Sequence, residues 1–351
     1  MAALTSCLRP WIGTAAAVAC LTAIAATPAA ALTINVTYDA SVIALPDTTE
    51  NTIKGAFNAV KAQYEAAITN NITVNVNVGW GVVNTTPLTT EVGEALVNSQ
   101  SVVGYSNLKT LLSGTGATLP TNDPTGGGAF FFLVPNAEAK ALSLLSPTAS
   151  GVDGYIGFSS SLTFDFDESN GVSAGQYDFA AVAKHELSHV LGRATSLTMT
   201  APSPFYAYAA DIFRYTSPGT NSFTGAASVN AYASTDGGTT RLGTLNDDAA
   251  GGDRSDWKTT GSTNDAQNAF MPTGQVSCLS VSDRKFLEAL GYTFSGSAST
   301  LFKTGSACAP AGATASVNAA APVPEPASLG LFAVGAGMIA ALRRRRSTRN
   351  G

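Results

Sequence analysis

Ala183-Lys-His-Glu-Leu-Ser-His-Val-Leu-Gly192 contains both of the chain's 2 histidines, four residues apart, with a glutamate directly after the first. Residues i and i+4 of an α-helix share a face one turn apart, so His185 and His189 can aim ring nitrogens at one ion. Glu186 is rotated off that axis. Its carboxylate is placed to reach a water on the ion's open position, where a general base is needed. The flanks predict a helix: Asp178 as N-cap, Phe179, Val182, Ala183 and Leu187 as an apolar face, and Gly192 as its stop. The pattern reads as a Zn²⁺ site with His185 and His189 as ligands and Glu186 as base.

Working outward, both ends of the chain read as targeting segments. Arg9, an apolar run over 11–26 and Pro28-Ala-Ala-Ala31 have the charged, apolar and small-residue order of a secretory signal peptide covering 1–31. At the other end, Pro322-Val-Pro-Glu-Pro-Ala327 leads into an apolar stretch over 327–342, followed by Arg343, Arg344, Arg345 and Arg346. As a helix that stretch spans about 24 Å, slightly short for a bilayer core, and the arginines would stay on the cytoplasmic side. The bulk of the chain would lie outside, with only transient membrane association through the tail.

Removing these ends changes the charge. Six of the 19 Lys and Arg are Arg9, Arg343 to Arg346 and Arg349, which leaves 13 against 24 Asp and Glu, a net charge near −11. That disfavours nucleic acid as a partner and suits an exported domain. Of the 4 cysteines, Cys278 and Cys308 survive the loss of the signal segment, and an oxidising compartment would let them pair. Such a bridge would contribute roughly 3–4 kcal/mol in the chain-entropy view.

Between the ends, periodicity predicts a strand over 32–37, a helix over 51–68 and a clean alternating strand over 72–80. Short helices over 90–97 and 107–112 and strands over 129–134 and 154–159 then lead to the motif helix. The second half is less regular. Asp236-Gly-Gly-Thr239 predicts a hairpin between 231–235 and 240–245, and Ser280 or Ser282 caps a last helix ending at Gly291. Asp247, Asp248, Asp253 and Asp256 read as a solvated acidic loop, calcium binding being the alternative. Residues 295–321 read as a flexible linker.

The Pro324-Glu325-Pro326 tail resembles the PEP-CTERM sorting signal of Gram-negative envelope proteins. That resemblance implies an exosortase-type transpeptidase as a partner and a cell-surface or extracellular destination. The motif helix resembles the zinc helix of PEP-CTERM-sorted, metzincin-like metalloproteases. Supporting stretches are Gly154-Tyr-Ile-Gly-Phe-Ser159, Asp211-Ile-Phe-Arg-Tyr215, Asp236-Gly-Gly-Thr239, Asn268-Ala-Phe-Met-Pro272, and Leu279-Ser-Val-Ser-Asp283 through Leu290-Gly-Tyr292. This likeness implies an α+β, zincin-like catalytic domain over 32–294, with a twisted mixed sheet, the zinc helix and a less regular C-terminal subdomain. Gly154-Tyr-Ile-Gly-Phe158 and residues 129–134 are its candidate cleft-edge strands, a sheet interior being the competing reading for both, and Met271 its packing methionine.

The metzincin pattern puts a third ligand where this chain has Thr195. The missing ligand must come from oxygen or cysteine. Asp211 is favoured, Tyr206, Tyr215 and other carboxylates remain open, and the competing reading of Asp211 is a pair with Arg214. Tyr206 and Tyr215 are also candidate oxyanion donors. The expected function is an exported zinc endopeptidase acting on protein or peptide substrates. The alternative is a metal-binding, structural or adhesive surface protein without turnover.

Overall fold

The computed structural model describes residues 31–126, 130–197, 206–226, 229–259, 264–303 and 321–322. Residues 1–30 of the expected signal segment 1–31 and the tail beyond 322 lie outside them, as does Cys308. Strand β1 (Thr33–Tyr38), helix α1 (Asp47–Ala67), strand β2 (Thr73–Trp80), strand β3 (Gly93–Val97), strand β4 (Gly154–Phe158) and helix α2 (Phe179–Val190) form the frame around the motif. The strands make a four-stranded sheet in the order β1-β2-β4-β3. The first three are parallel; β3 runs antiparallel to β4 and is the terminal strand.

The predicted alternation over 72–80 is realised in β2, where Val74, Val76 and Val78 are buried on the core side. Ile53, Phe57, Val60, Tyr64 and Ala67 form the buried face of α1 at the expected spacing. Tyr64 couples this helix to the motif helix, donating from Oη to the Lys184 carbonyl at 2.6 Å and lying 2.8 Å from Ser188 Oγ.

Two local expectations change. Residues 90–97, expected as a helix, contain β3, because Gly93 to Val97 pair residue by residue with Phe158 to Gly154. Long-range pairing and burial outweigh the helical preference of Glu94-Ala-Leu96. Consequently neither candidate cleft-edge strand borders the motif helix at a sheet edge. β4 is interior, and Phe131–Val134 lies between Ser101–Val103 and Tyr206–Tyr208 in a separate three-stranded sheet.

The second half is a mosaic of short pairings. Arg214–Ser217, Thr220–Asn221, Tyr232–Ala233 and Gly243–Thr244 form a four-stranded antiparallel sheet that includes the expected hairpin. The last helix, Val281–Ala289, is capped by Ser280 in a reciprocal box with Asp283. Folded structure continues past the expected linker boundary at 295: Phe302–Lys303 pairs with Leu279–Ser280, and Ala298 and Leu301 are buried. The architecture is mixed α+β, with several small sheets and few helices. Among the described residues no helix is long and apolar enough to cross a membrane; the apolar tail over 327–342 lies outside them.

Candidate metal centre

The motif helix is fixed at both ends. Asp178 accepts from the Ala181 amide at 3.1 Å as its cap, and its other oxygen accepts from the Ser277 amide at 3.1 Å. Burial pushes the Asp178 carboxyl up to about 6, with Glu168 adding to the rise. At the far end Gly192 takes φ +117°, a left-handed conformation that turns the chain into Arg193.

His185 Nδ1 lies 2.7 Å from the Ala266 carbonyl, and His189 Nδ1 contacts the Arg193 carbonyl. A carbonyl oxygen only accepts, so each Nδ1 carries the hydrogen and each neutral ring presents its lone pair at Nε2. Those two Nε2 atoms are 2.9 Å apart. Asp256 brings its oxygens to 3.4 Å from His185 Nε2 and 3.5 Å from His189 Nε2. All three side chains have no solvent exposure. Three electron-pair donors therefore converge in a dry interior, an arrangement that requires a positive charge between them.

The titration tendencies agree. Burial opposes charge on His185, yet Asp256 and Glu186 carry its pKa up to about 9. Burial, together with the charge on His185, takes His189 down to about 4, although Asp256 acts the other way. Burial also disfavours the Asp256 carboxylate, but the two imidazoles hold it below its ordinary range. Of the two imidazoles, His185 is the one whose neighbouring carboxylates favour the protonated form. His185, His189 and Asp256 are the group among the described residues whose donor atoms fall within 4.8 Å of one another. Two imidazoles and a carboxylate are a donor set that suits zinc.

Asp256 comes from the loop expected to be a solvated acidic surface; Asp247, Asp253 and Asp256 are instead buried. The Asp256 carbonyl accepts from the Asn246 amide at 2.8 Å, and Asp253 accepts from the Ser255 amide at 2.7 Å. The Trp257 amide donates to the Gln267 carbonyl at 2.9 Å. Segment 256–258 thus lies along the segment that also carries Ala266. One pairing delivers both the Asp256 carboxylate and the carbonyl that orients His185.

Asp211, the favoured third ligand, does not join the imidazoles. Its Oδ1 accepts from Thr195 Oγ1 at 2.6 Å and its Oδ2 from the Tyr208 amide at 2.9 Å, which caps the turn Ala209–Phe213. Burial pushes it up to about 6, and Arg214 acts in the opposite direction. Thr195, at the position of the metzincin third ligand, is thereby bonded to the very carboxylate proposed to replace it. Tyr206 packs beside Val97, Leu133, Ala194 and Tyr208, and Tyr215 lies against Tyr232 in the hairpin sheet. Met271 is buried in the main core.

Glu186 is fully buried, and neither carboxylate oxygen has a hydrogen-bond partner among the described residues. Burial pushes its pKa up to about 8, opposed by His185 and reinforced by Asp256 and Glu94. It packs on β3 at Gly93, where a Cβ would stand 2.7 Å from Glu186 Oε1 and 2.6 Å from Val182 Cγ1. Only glycine allows the helix and its carboxylate to approach the edge strand so closely.

Comparison with known proteins adds one finding, at the C-terminus. Residues 322–346 match the PEP-CTERM protein-sorting motif. The chain carries a PEP-CTERM signal. Such a signal marks an exported protein processed by an exosortase and sorted to the cell envelope or surface of Gram-negative bacteria. Neither the curated proteins nor the solved structures gave a match. Cys278 is disulfide-bonded, and its expected partner, Cys308, lies outside the described residues.

Proposed function

We propose that this PEP-CTERM protein is a zinc-dependent endopeptidase of zincin-like build, with His185, His189 and Asp256 as ligands and Glu186 as general base. The observation that carries the proposal is the pair of Nδ1 contacts to carbonyl oxygens, which turns both Nε2 lone pairs towards the Asp256 carboxylate. A zinc ion bound there supplies Lewis-acid activation of water and of a peptide carbonyl. Glu186 takes the proton from the attacking water and passes it to the leaving amine. Burial raises its pKa in the metal-free site, and a divalent cation held beside it would lower that value again, leaving the carboxylate free to accept a proton near neutrality. The protein or peptide substrate adds as a further strand along β3, the terminal strand beside Glu186.

The competing role, a metal-bound structural or adhesive surface protein, draws on the complete burial of the ligand set and of Glu186. Turnover requires the site to open to a peptide. The test is zinc titration and casein cleavage by the purified full chain and its Glu186→Gln variant. The endopeptidase reading expects one zinc per chain in both proteins, with cleavage reduced about 10²–10⁴-fold in the variant. Tight zinc binding with no cleavage by the unaltered protein moves the assignment to the non-catalytic role.

A further inference from the structure

The residue after the motif's glycine, Arg193, does more than extend the helix end. Its backbone carbonyl receives the His189 Nδ1–H and also the Ser255 hydroxyl, the latter at 3.2 Å. Its side chain is buried, with 1% exposure. Nε donates to the Ser255 carbonyl at 3.1 Å, while the guanidinium plane lies 4.0 Å from the centroid of the Trp257 ring. Ser255 and Trp257 are the two neighbours of Asp256 in the chain. The same guanidinium pairs with Asp283, which also accepts from Trp257 Nε1 at 2.7 Å. Asp283 in turn belongs to the capping box of the last helix.

We infer that Arg193 is the positioning residue of the metal centre, clamping both neighbours of Asp256 so that its carboxylate meets the imidazoles, and fixing His189 through its own carbonyl. The inference rests on the metal-site reading above and adds the part that sets the third ligand. Ligand and clamp are separated by about 60 residues of sequence, and without a clamp the loop would pay the entropy of ordering each time the ion bound. Arginine suits this task because one planar group donates along its edge and stacks on an indole by its face. Lysine would keep the charge opposite Asp283 but offer neither the fixed edge nor the flat face.

The experiment is Zn²⁺ titration of the purified full chain and of Arg193→Lys, Trp257→Phe and Asp256→Ala, with Co²⁺ absorption spectra of each. Arg193→Lys is expected to fold, to lose about 10–100-fold in zinc affinity, and to shift its cobalt spectrum towards that of Asp256→Ala. Unchanged affinity, or weakened affinity with the unaltered protein's cobalt spectrum, overturns the clamp, because Asp256 then ligates without it. If Arg193→Lys does not fold, Trp257→Phe decides. That variant keeps a ring under the guanidinium but loses the donor to Asp283, and an affinity loss of about threefold or more with a shifted spectrum sustains the clamp. An unaltered affinity and spectrum in Trp257→Phe overturns it. An unaltered protein that binds no divalent cation overturns the site reading itself, and the clamp with it.

Discussion

The two halves of the molecule are held together differently. In the first, long elements bury continuous apolar faces: β2 contributes Val74, Val76 and Val78, and α1 contributes Ile53, Phe57, Val60 and Tyr64. In the second, strands of two to four residues surround buried polar groups, among them Arg193, Arg254, Asn246, Asp253, Asp256 and Asp283. The first half is a platform that sets the motif helix through apolar area. The second half supplies the Asp256 carboxylate and the orienting carbonyl of Ala266 through directional bonds. Area tolerates adjustment, whereas each hydrogen bond fixes one partner, so the halves should respond differently to substitution.

The largest effect should fall on the platform. Phe57→Ala, which empties a fully buried site, is expected to cost about 3–5 kcal/mol of folding stability. Denaturant unfolding checks this, and the folded fraction should keep its zinc affinity. An affinity loss matching the stability loss would erase the distinction between platform and site.

In the second half the effect should be local to the metal. Asp256→Asn is expected to lower zinc affinity by more than the roughly 10–100-fold typical of an outer partner. Asp211→Asn, by contrast, is expected to change it by no more than about threefold, since its bonds go to Thr195 and Tyr208. Titration calorimetry of the two variants side by side sharpens the assignment, and the reverse order would return Asp211 to the site.

Acidity gives the next effect. The His185 pKa is raised to about 9, so below that pH the metal-free site holds a proton that zinc must displace. Zinc affinity should therefore rise about tenfold per pH unit from roughly pH 6 to 9 and then level off. At least one proton should be released per zinc at pH 7, that of His185, with any from Glu186 adding to it, measurable by calorimetry in buffers of different ionisation enthalpy. No proton release would mean that the imidazoles are already neutral together.

The smallest effect is expected at Gln267, whose Nε2 donates to Asp256 Oδ1 at 3.4 Å. Gln267→Ala should weaken zinc about tenfold or less, near the bottom of the outer-partner range, with folding stability little changed. A loss as large as that of Asp256→Asn would make this amide an essential part of the loop.

Legibility followed the same division. α1, β2 and the hairpin around Asp236 were readable because period 3.6, period 2 and paired turn glycines are local signals. β3 was not, because Gly93-Glu-Ala-Leu-Val97 has little alternation, and its state is set by pairing with β4. Asp256 was hidden for a related reason. In sequence it is one of four acidic residues in a glycine-containing loop, and the cation that stacks on the neighbouring Trp257 is Arg193, far earlier in the chain, so nothing local singles Asp256 out.

That His185 and His189 share a face with Glu186 beside them follows from their spacing alone, because a helix of 3.6 residues per turn allows no other outcome. The sequence also carried the PEP-CTERM signal, which is read as a linear string. Packing between distant segments is what brings the Asp256 oxygens to the imidazoles and the Ala266 and Arg193 carbonyls to their Nδ1 atoms. Asp256 is 67 residues beyond His189, and over that distance position is settled by packing and hydrogen bonding rather than by any repeat along the chain.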